Sequence, residues 1–196
     1  NNPTGTVMDP LAISRLAASF QGLVVVDEAY MDFHAGREND SMLSRLMAHP
    51  NIVVLQTFSK GWGMAGARLG MAIGNSEIIA VLNQIKAPYN VNSLTARAVL
   101  TRLEQVDKVE AQIAELIRLR DALHQDLGRL TIVEHVYPSA ANFLLVRFSE
   151  PARVHQSLLS RGIVVRDRSA AVAGCLRITV GTAQENKLLI DTLSKL

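Results

Sequence analysis

Residues 23–26 (LVVV) form a short, unbroken apolar run, and a run of that kind reads as a strand buried on both faces. Two more β-rich runs follow, at 52–57 and at 69–73. A helix pattern precedes the first. Asp9 caps LAISRLAASF, Pro10 suits its first turn and Gly22 lies where it can end. Residues 41–49 read as a second, shorter helix stopped by Pro50. Helix, strand, helix, strand in that order predicts an α/β layer with a mostly parallel sheet.

The texture changes near residue 93. Leu103, Val106, Val109, Ile113, Leu116, Leu119, Leu123 and Leu127 recur at steps of three and four, which gives long helices with one apolar face, stopped at Gly128. Strands are expected at 132–136, 142–148, 163–166 and 176–180, with a helix over 151–161. Thr182 and Glu185 have the spacing of a capping box and open a last helix. The expected organisation is therefore a partial large α/β domain over 1–90, linking helices over 91–117 and a small α+β domain over 118–196.

Composition narrows the class of protein. Twenty basic and eighteen acidic side chains give a net charge of +2 and are spread along the chain, so no nucleic-acid or membrane surface is expected. A single cysteine, Cys175, rules out a disulfide framework within the chain, and a reducing, cytoplasmic setting is the expected one. The five histidines show no metal-ligand spacing, so no metal site is expected.

Three segments carry chemistry: NNPTG at the start, VVVDEAY after the first apolar run, and TFSKGWGMAGARLG after the second. Asp27 follows a strand, and ligands of open α/β sheets lie beyond the carboxyl ends of strands. On residue type alone, capping the next turn is the commoner role for that aspartate, and packing the commoner role for Tyr30. Lys60 sits among Thr57, Ser59, Gly61, Gly63, Gly66 and Arg68, a mixture of close-approach glycines, hydroxyls and one forked donor that suits a phosphate. The order of residues fits neither a P-loop nor a dinucleotide fingerprint.

Together these segments resemble the fold-type I pyridoxal-phosphate enzymes, the aminotransferases in particular. The nearest pattern is that of the histidinol-phosphate aminotransferases, on TFSK with ARLG, on APY at 87–89, and on GIVVRD with GCLRITVGT near the end. The resemblance implies pyridoxal 5′-phosphate as cofactor, with Lys60 carrying it and moving the proton. It implies Asp27 on the pyridine nitrogen, Tyr30 and Asn2 on the phenolic oxygen, and Thr57, Ser59 and Arg68 on the 5′-phosphate. It also implies Arg177 on the substrate carboxylate and Arg166 on the phosphate of histidinol phosphate. The reaction implied exchanges an amino group between glutamate or 2-oxoglutarate and histidinol phosphate or its keto partner. The partners implied are small molecules and, for the full-length protein, a second copy of itself.

Alternatives stay open at this point: a threonine-phosphate decarboxylase, an aromatic aminotransferase, or a non-catalytic module of a transcription regulator. The family's N-terminal portion has no counterpart here, so a fragment of a longer protein is expected. Its strands at 24–26 and 52–55 then lack neighbours.

Overall fold

Asp9 opens the first helix as its spacing predicts: its Oδ1 accepts from Leu11 N at 2.9 Å, and Pro10 begins α1 (Pro10–Ser19). The cap satisfies one of the donors that a helix start leaves without a partner, and proline has none to lose there. The structure, a computed structural model, describes residues 1–196. By its internal contacts the chain divides into Met8–Ala111 and a second unit of Asn1–Val7 with Gln112–Leu196.

In Met8–Ala111, β1 (Val24–Asp27), β2 (Ile52–Thr57) and β3 (Gly70–Gly74) form a three-stranded sheet in that order. β1 and β2 run parallel, whereas β2 and β3 run antiparallel, so the sheet is mixed rather than mostly parallel. Short connections separate them. A 3₁₀ turn at Met31–Phe33, α2 (Arg37–Asp40) and a second 3₁₀ stretch at Met42–Ala48 lie between β1 and β2, and a third turn, Ala65–Ala67, precedes β3. Ile13, Ala17, Val24, Met42, Ile52 and Val54 build the core.

The expectation that the first strand is buried on both faces does not hold in this chain. Leu23 and Val25 are more than half exposed, because β1 is an edge strand and α1 covers one face only. Its outer edge has no strand beside it. Two further helices complete the unit, α3 (Ser76–Ile85) and α4 (Ser93–Leu103), each opened by an asparagine cap, Asn75 and Asn92.

α5 (Val106–Leu127) crosses the division between the units. In the second unit, β4 (Val133–Val136), β5 (Phe143–Phe148), β7 (Cys175–Thr179) and β6 (Arg166–Asp167) pair antiparallel in that spatial order, with α6 (Pro151–Leu159) and α7 (Ala183–Leu193) beside them. Leu119, Leu123 and Leu127 of α5 meet Leu144, Val146, Phe148, Leu176 and Ile178 of the sheet and Leu158, Leu189 and Leu193 of α6 and α7. This core is closed. The capping box of α7 is present in both directions, with Thr182 N donating to Glu185 and Glu185 N donating to Thr182 Oγ1.

Two further expectations are corrected. The strand expected at 163–166 shrinks to Arg166–Asp167, because Ile163 N donates back to Leu158 O at the end of α6 and Val165 O is bonded by His155. The NNPTG turn, expected with the first domain, groups with the second unit. Ala140 N donates to Gly5 O at 2.8 Å, and a Cβ on Gly5 would stand 2.1 Å from Ser139 Oγ, so only glycine fits that left-handed position.

Candidate active site

Strand direction decides what gathers at one edge of the three-stranded sheet. β1 and β2 run parallel and end at Asp27 and Thr57, while β3 runs the other way and begins at Gly70, paired with Thr57. Asp27, the loop from Thr57 to Lys60, and Arg68 two residues before β3 therefore emerge at the same edge. It is the carboxyl edge of the parallel pair, the place where open sheets hold ligands.

Each side chain is set by local bonds. Asp27 is exposed, and its Oδ1 accepts from Ala29 N at 2.9 Å, which starts the turn toward Tyr30. That is the capping role the residue type predicts, and it engages one carboxylate oxygen. The turn brings the ring of Tyr30 beneath the next loop. Lys60 Nζ lies 5.3 Å from the centre of that ring, a cation–π distance.

The lysine loop is wound tightly. Ser59 N donates to Thr57 Oγ1 at 3.0 Å, Gly63 N to Lys60 O at 3.0 Å and Met64 N to Phe58 O at 2.9 Å. Thr57 Oγ1 in turn donates to Leu69 O at 3.2 Å, so its proton is already engaged within the loop. Arg68 is a non-glycine residue in the left-handed region, at φ 52, and its Nη1 donates to Ala65 O while the side chain stays exposed. A strained backbone that presents a guanidinium at a ligand edge fits an anion-binding role.

Asn2, Arg166 and Arg177 lie in the other unit. Arg177 Nη1 donates to Asn2 Oδ1 at 2.9 Å, and its guanidinium stands 5.0 Å from the centre of the Phe143 ring. Arg166 and Arg177 are direct partners across β6 and β7, so both project from the same face of the sheet. Like charges facing each other across strands are unfavourable, and an anion carrying two charges relieves that cost.

Two carboxyls in the DEAYMDF stretch escape a reading by residue type. Glu28 is buried and accepts from Ser41 Oγ at 2.7 Å, Met42 N at 2.7 Å and Gln56 Nε2 at 3.1 Å, which ties β1 to the connection and to β2. Asp32 lies against Gly61, the residue after the lysine. Burial pushes its carboxyl above the ordinary range. Glu110 and Glu28 add to that rise, and Arg37 and the Gly61 N–H oppose it. The available signal was an acidic residue set between apolar ones just past a strand. No three His, Cys, Asp or Glu side chains come together in a way that could hold a metal ion.

Comparison with known proteins gives the chain a family. Residues 1–193 match the family model for aminotransferase class I and II, and the chain belongs to that family. A curated histidinol-phosphate aminotransferase from Cytophaga hutchinsonii is 45% identical over 98% of this chain and 55% of its own length. The chain thus spans about half the length of the curated relatives it matches. Among solved structures, the histidinol-phosphate aminotransferase of Clostridium acetobutylicum superposes with a TM-score of 0.91 over 100% of this chain and 61% of its own, at 21% identity, a likeness of fold. The L-threonine-O-3-phosphate decarboxylase of Porphyromonas gingivalis reaches 0.86 at 26% identity, over 100% of this chain and 61% of its own. The fold is that of fold-type I enzymes, here as part of the large domain with a small α+β unit.

Proposed function

We propose that this chain is the lysine-bearing and substrate-recognising part of a pyridoxal-phosphate-dependent aminotransferase that acts on histidinol phosphate, with glutamate and 2-oxoglutarate as the other pair. One observation carries the reading: the amine of Lys60 stands exposed over the ring of Tyr30, on the sheet edge that also presents Asp27 and Arg68. An amine, a carboxylate, a phenol and a guanidinium are the groups a pyridine ring bearing a phosphate asks for, so the residues present fit pyridoxal phosphate. When bound, that cofactor supplies an electron sink for the carbanion left as the substrate α-carbon loses its proton.

Lys60 Nζ would hold the cofactor and, once released, move the proton; an amine suits both tasks, being a nucleophile and a base. Asp27, with one oxygen engaged by Ala29 N, offers the other to a protonated pyridine nitrogen. Tyr30 would donate to the phenolic oxygen, and the family resemblance gives Asn2 the same role. Ser59 and Arg68 grip the phosphate, Arg68 at two points, and Thr57 joins them when its hydroxyl turns from Leu69 O. Arg177 binds the carboxylate of glutamate, and Arg166 with Arg177 binds the phosphate of histidinol phosphate, which has no carboxylate.

In the full-length protein, Arg177→Ala impairs the half-reactions of both substrates, and Arg166→Ala chiefly that of histidinol phosphate. Each loss is on the order of 2–5 kcal/mol in kcat/KM. Small, equal losses for both substrates would sink the division of labour between the arginines. A decarboxylase of a phosphorylated amino acid is the second reading, favoured by the likeness to the Porphyromonas gingivalis enzyme. The 45% identity to a histidinol-phosphate aminotransferase weighs against it. Release of carbon dioxide from O-phosphothreonine without amino transfer would reverse that judgement. The parent protein is read as a homodimer in the cytoplasm, as the family resemblance implies.

A further inference from the structure

The carboxyl of Asp32 is in contact with the loop that presents Lys60. A Cβ built on Gly61 would stand 2.4 Å from Asp32 Oδ2 and 2.6 Å from Asp32 Cβ, so only a hydrogen fits between the two residues. Gly61 is buried, and its N–H favours the charged form of that carboxyl. The aspartate is braced from behind. Arg37 Nη1 donates to the Asp32 backbone oxygen at 3.2 Å, and Arg37 pairs with Glu110 at 2.5 Å.

We propose that Asp32 is a positioning residue for Lys60: its carboxylate, packed against Gly61, attracts the Gly61 N–H and so fixes the plane of the Lys60–Gly61 peptide and hence the direction in which the lysine side chain leaves the backbone. The inference rests on the reading that Lys60 carries the cofactor. A charged acceptor holds an N–H roughly twice as strongly as a neutral one, so the charge, and not only the shape, matters to the hold. The peptide held is the one adjoining the catalytic side chain. A small rotation there is amplified along the four carbons of lysine, and displacements of about 1 Å at a reacting group cost on the order of 10²-fold in rate.

The same carboxylate is unfavourable to the fold at neutral pH. Its folded pKa lies above the ordinary value, so the folded state binds the proton more tightly than the unfolded chain. Stability therefore falls as pH rises from the ordinary carboxylate range through the raised value, and above it the ionised Asp32 costs stability. The groups facing it are Arg37, Glu110, Glu28 and the Gly61 amide. Of these, Arg37 and the amide favour the charged form and the two glutamates oppose it. A structural brace and a positioning group thus predict opposite outcomes for the isosteric amide.

The test is Asp32→Asn in the full-length holoenzyme. The expected result is a kcat lowered about ten-fold, as for a misplaced catalytic group, with KM for glutamate changed little. The Tm at neutral pH is unchanged or higher, and any gain in Tm disappears below the ordinary carboxylate range. A second measurement uses no cofactor. Hydrogen exchange at the Gly61 amide of the cofactor-free protein, followed by nuclear magnetic resonance, should quicken about ten-fold in the variant, in keeping with a weaker acceptor. A Tm that falls along with kcat, an unchanged kcat, or an unchanged Gly61 exchange rate overturns the proposal. Failure of the underlying reading shows differently: Lys60→Ala would leave the cofactor's bound-lysine absorbance in place, whatever the Gly61 amide does.

Discussion

The two units use the same kind of sequence to different ends. In β5 nearly every side chain is buried, and the sheet of the C-terminal unit closes on α5, α6 and α7. In β1 an equally apolar run leaves Val25 bare, and the core beneath it is small. All the large exposed apolar side chains except Val7, Leu159, Val164 and Leu188 belong to Met8–Ala111. The groups proposed for bond-breaking, Lys60, Asp27, Tyr30 and Arg68, also belong there. The difference teaches that an apolar run states what a strand can bury, while its neighbours decide what it does bury. The proposed chemistry sits on the open unit, and the larger buried core on the closed one.

Lys60→Ala is the sharpest way to break that comparison. In the full-length protein it should abolish transamination and the bound-lysine absorbance while leaving the Tm in place; a marked fall in Tm would show that the lysine is structural. Next is Phe148→Ala, in the closed core, which should cost about 3–5 kcal/mol in denaturant unfolding. Glu28→Ala strands the Ser41 hydroxyl and the Met42 N–H, and should cost about 1–3 kcal/mol for each group left buried without a partner. If it proves harmless, Met8–Ala111 contributes less to stability than its buried carboxylate suggests. Thr182→Ala removes the α7 cap for about 1 kcal/mol, read as a shift in the unfolding midpoint. Val25→Ala, on the bare face, should stay within about 0.5 kcal/mol in this chain alone. A larger cost in the full-length protein would measure how far that face is covered there.

Much of the architecture was legible in the residues. The Asp9-Pro10 start, the three β runs, the long amphipathic helix ending at Gly128 and the Thr182–Glu185 box all rest on local rules, and local rules survive without partners. α3 is not legible in the residues, because Ile78, Ile79 and Val81 are β-branched and suit a strand as well as a helix. The strand expected at 163–166 failed because its backbone bonds run to α6, a tertiary choice no periodicity displays. In the site, Lys60 and Arg68 stood out by their glycine-rich setting. Asp32 did not, since its meaning lies in a contact with Gly61 that is distant in sequence.

One edge remains. Val24–Asp27 pairs with β2 on one side only, so its outer amides and carbonyls form a row with no strand alongside, next to the apolar Leu23 and Val25. Such a row is a template for another extended segment of any origin. Produced by itself at high concentration, this polypeptide should be prone to polymerise strand upon strand, and a lysine or proline written into that border would be the simplest way to keep it dispersed.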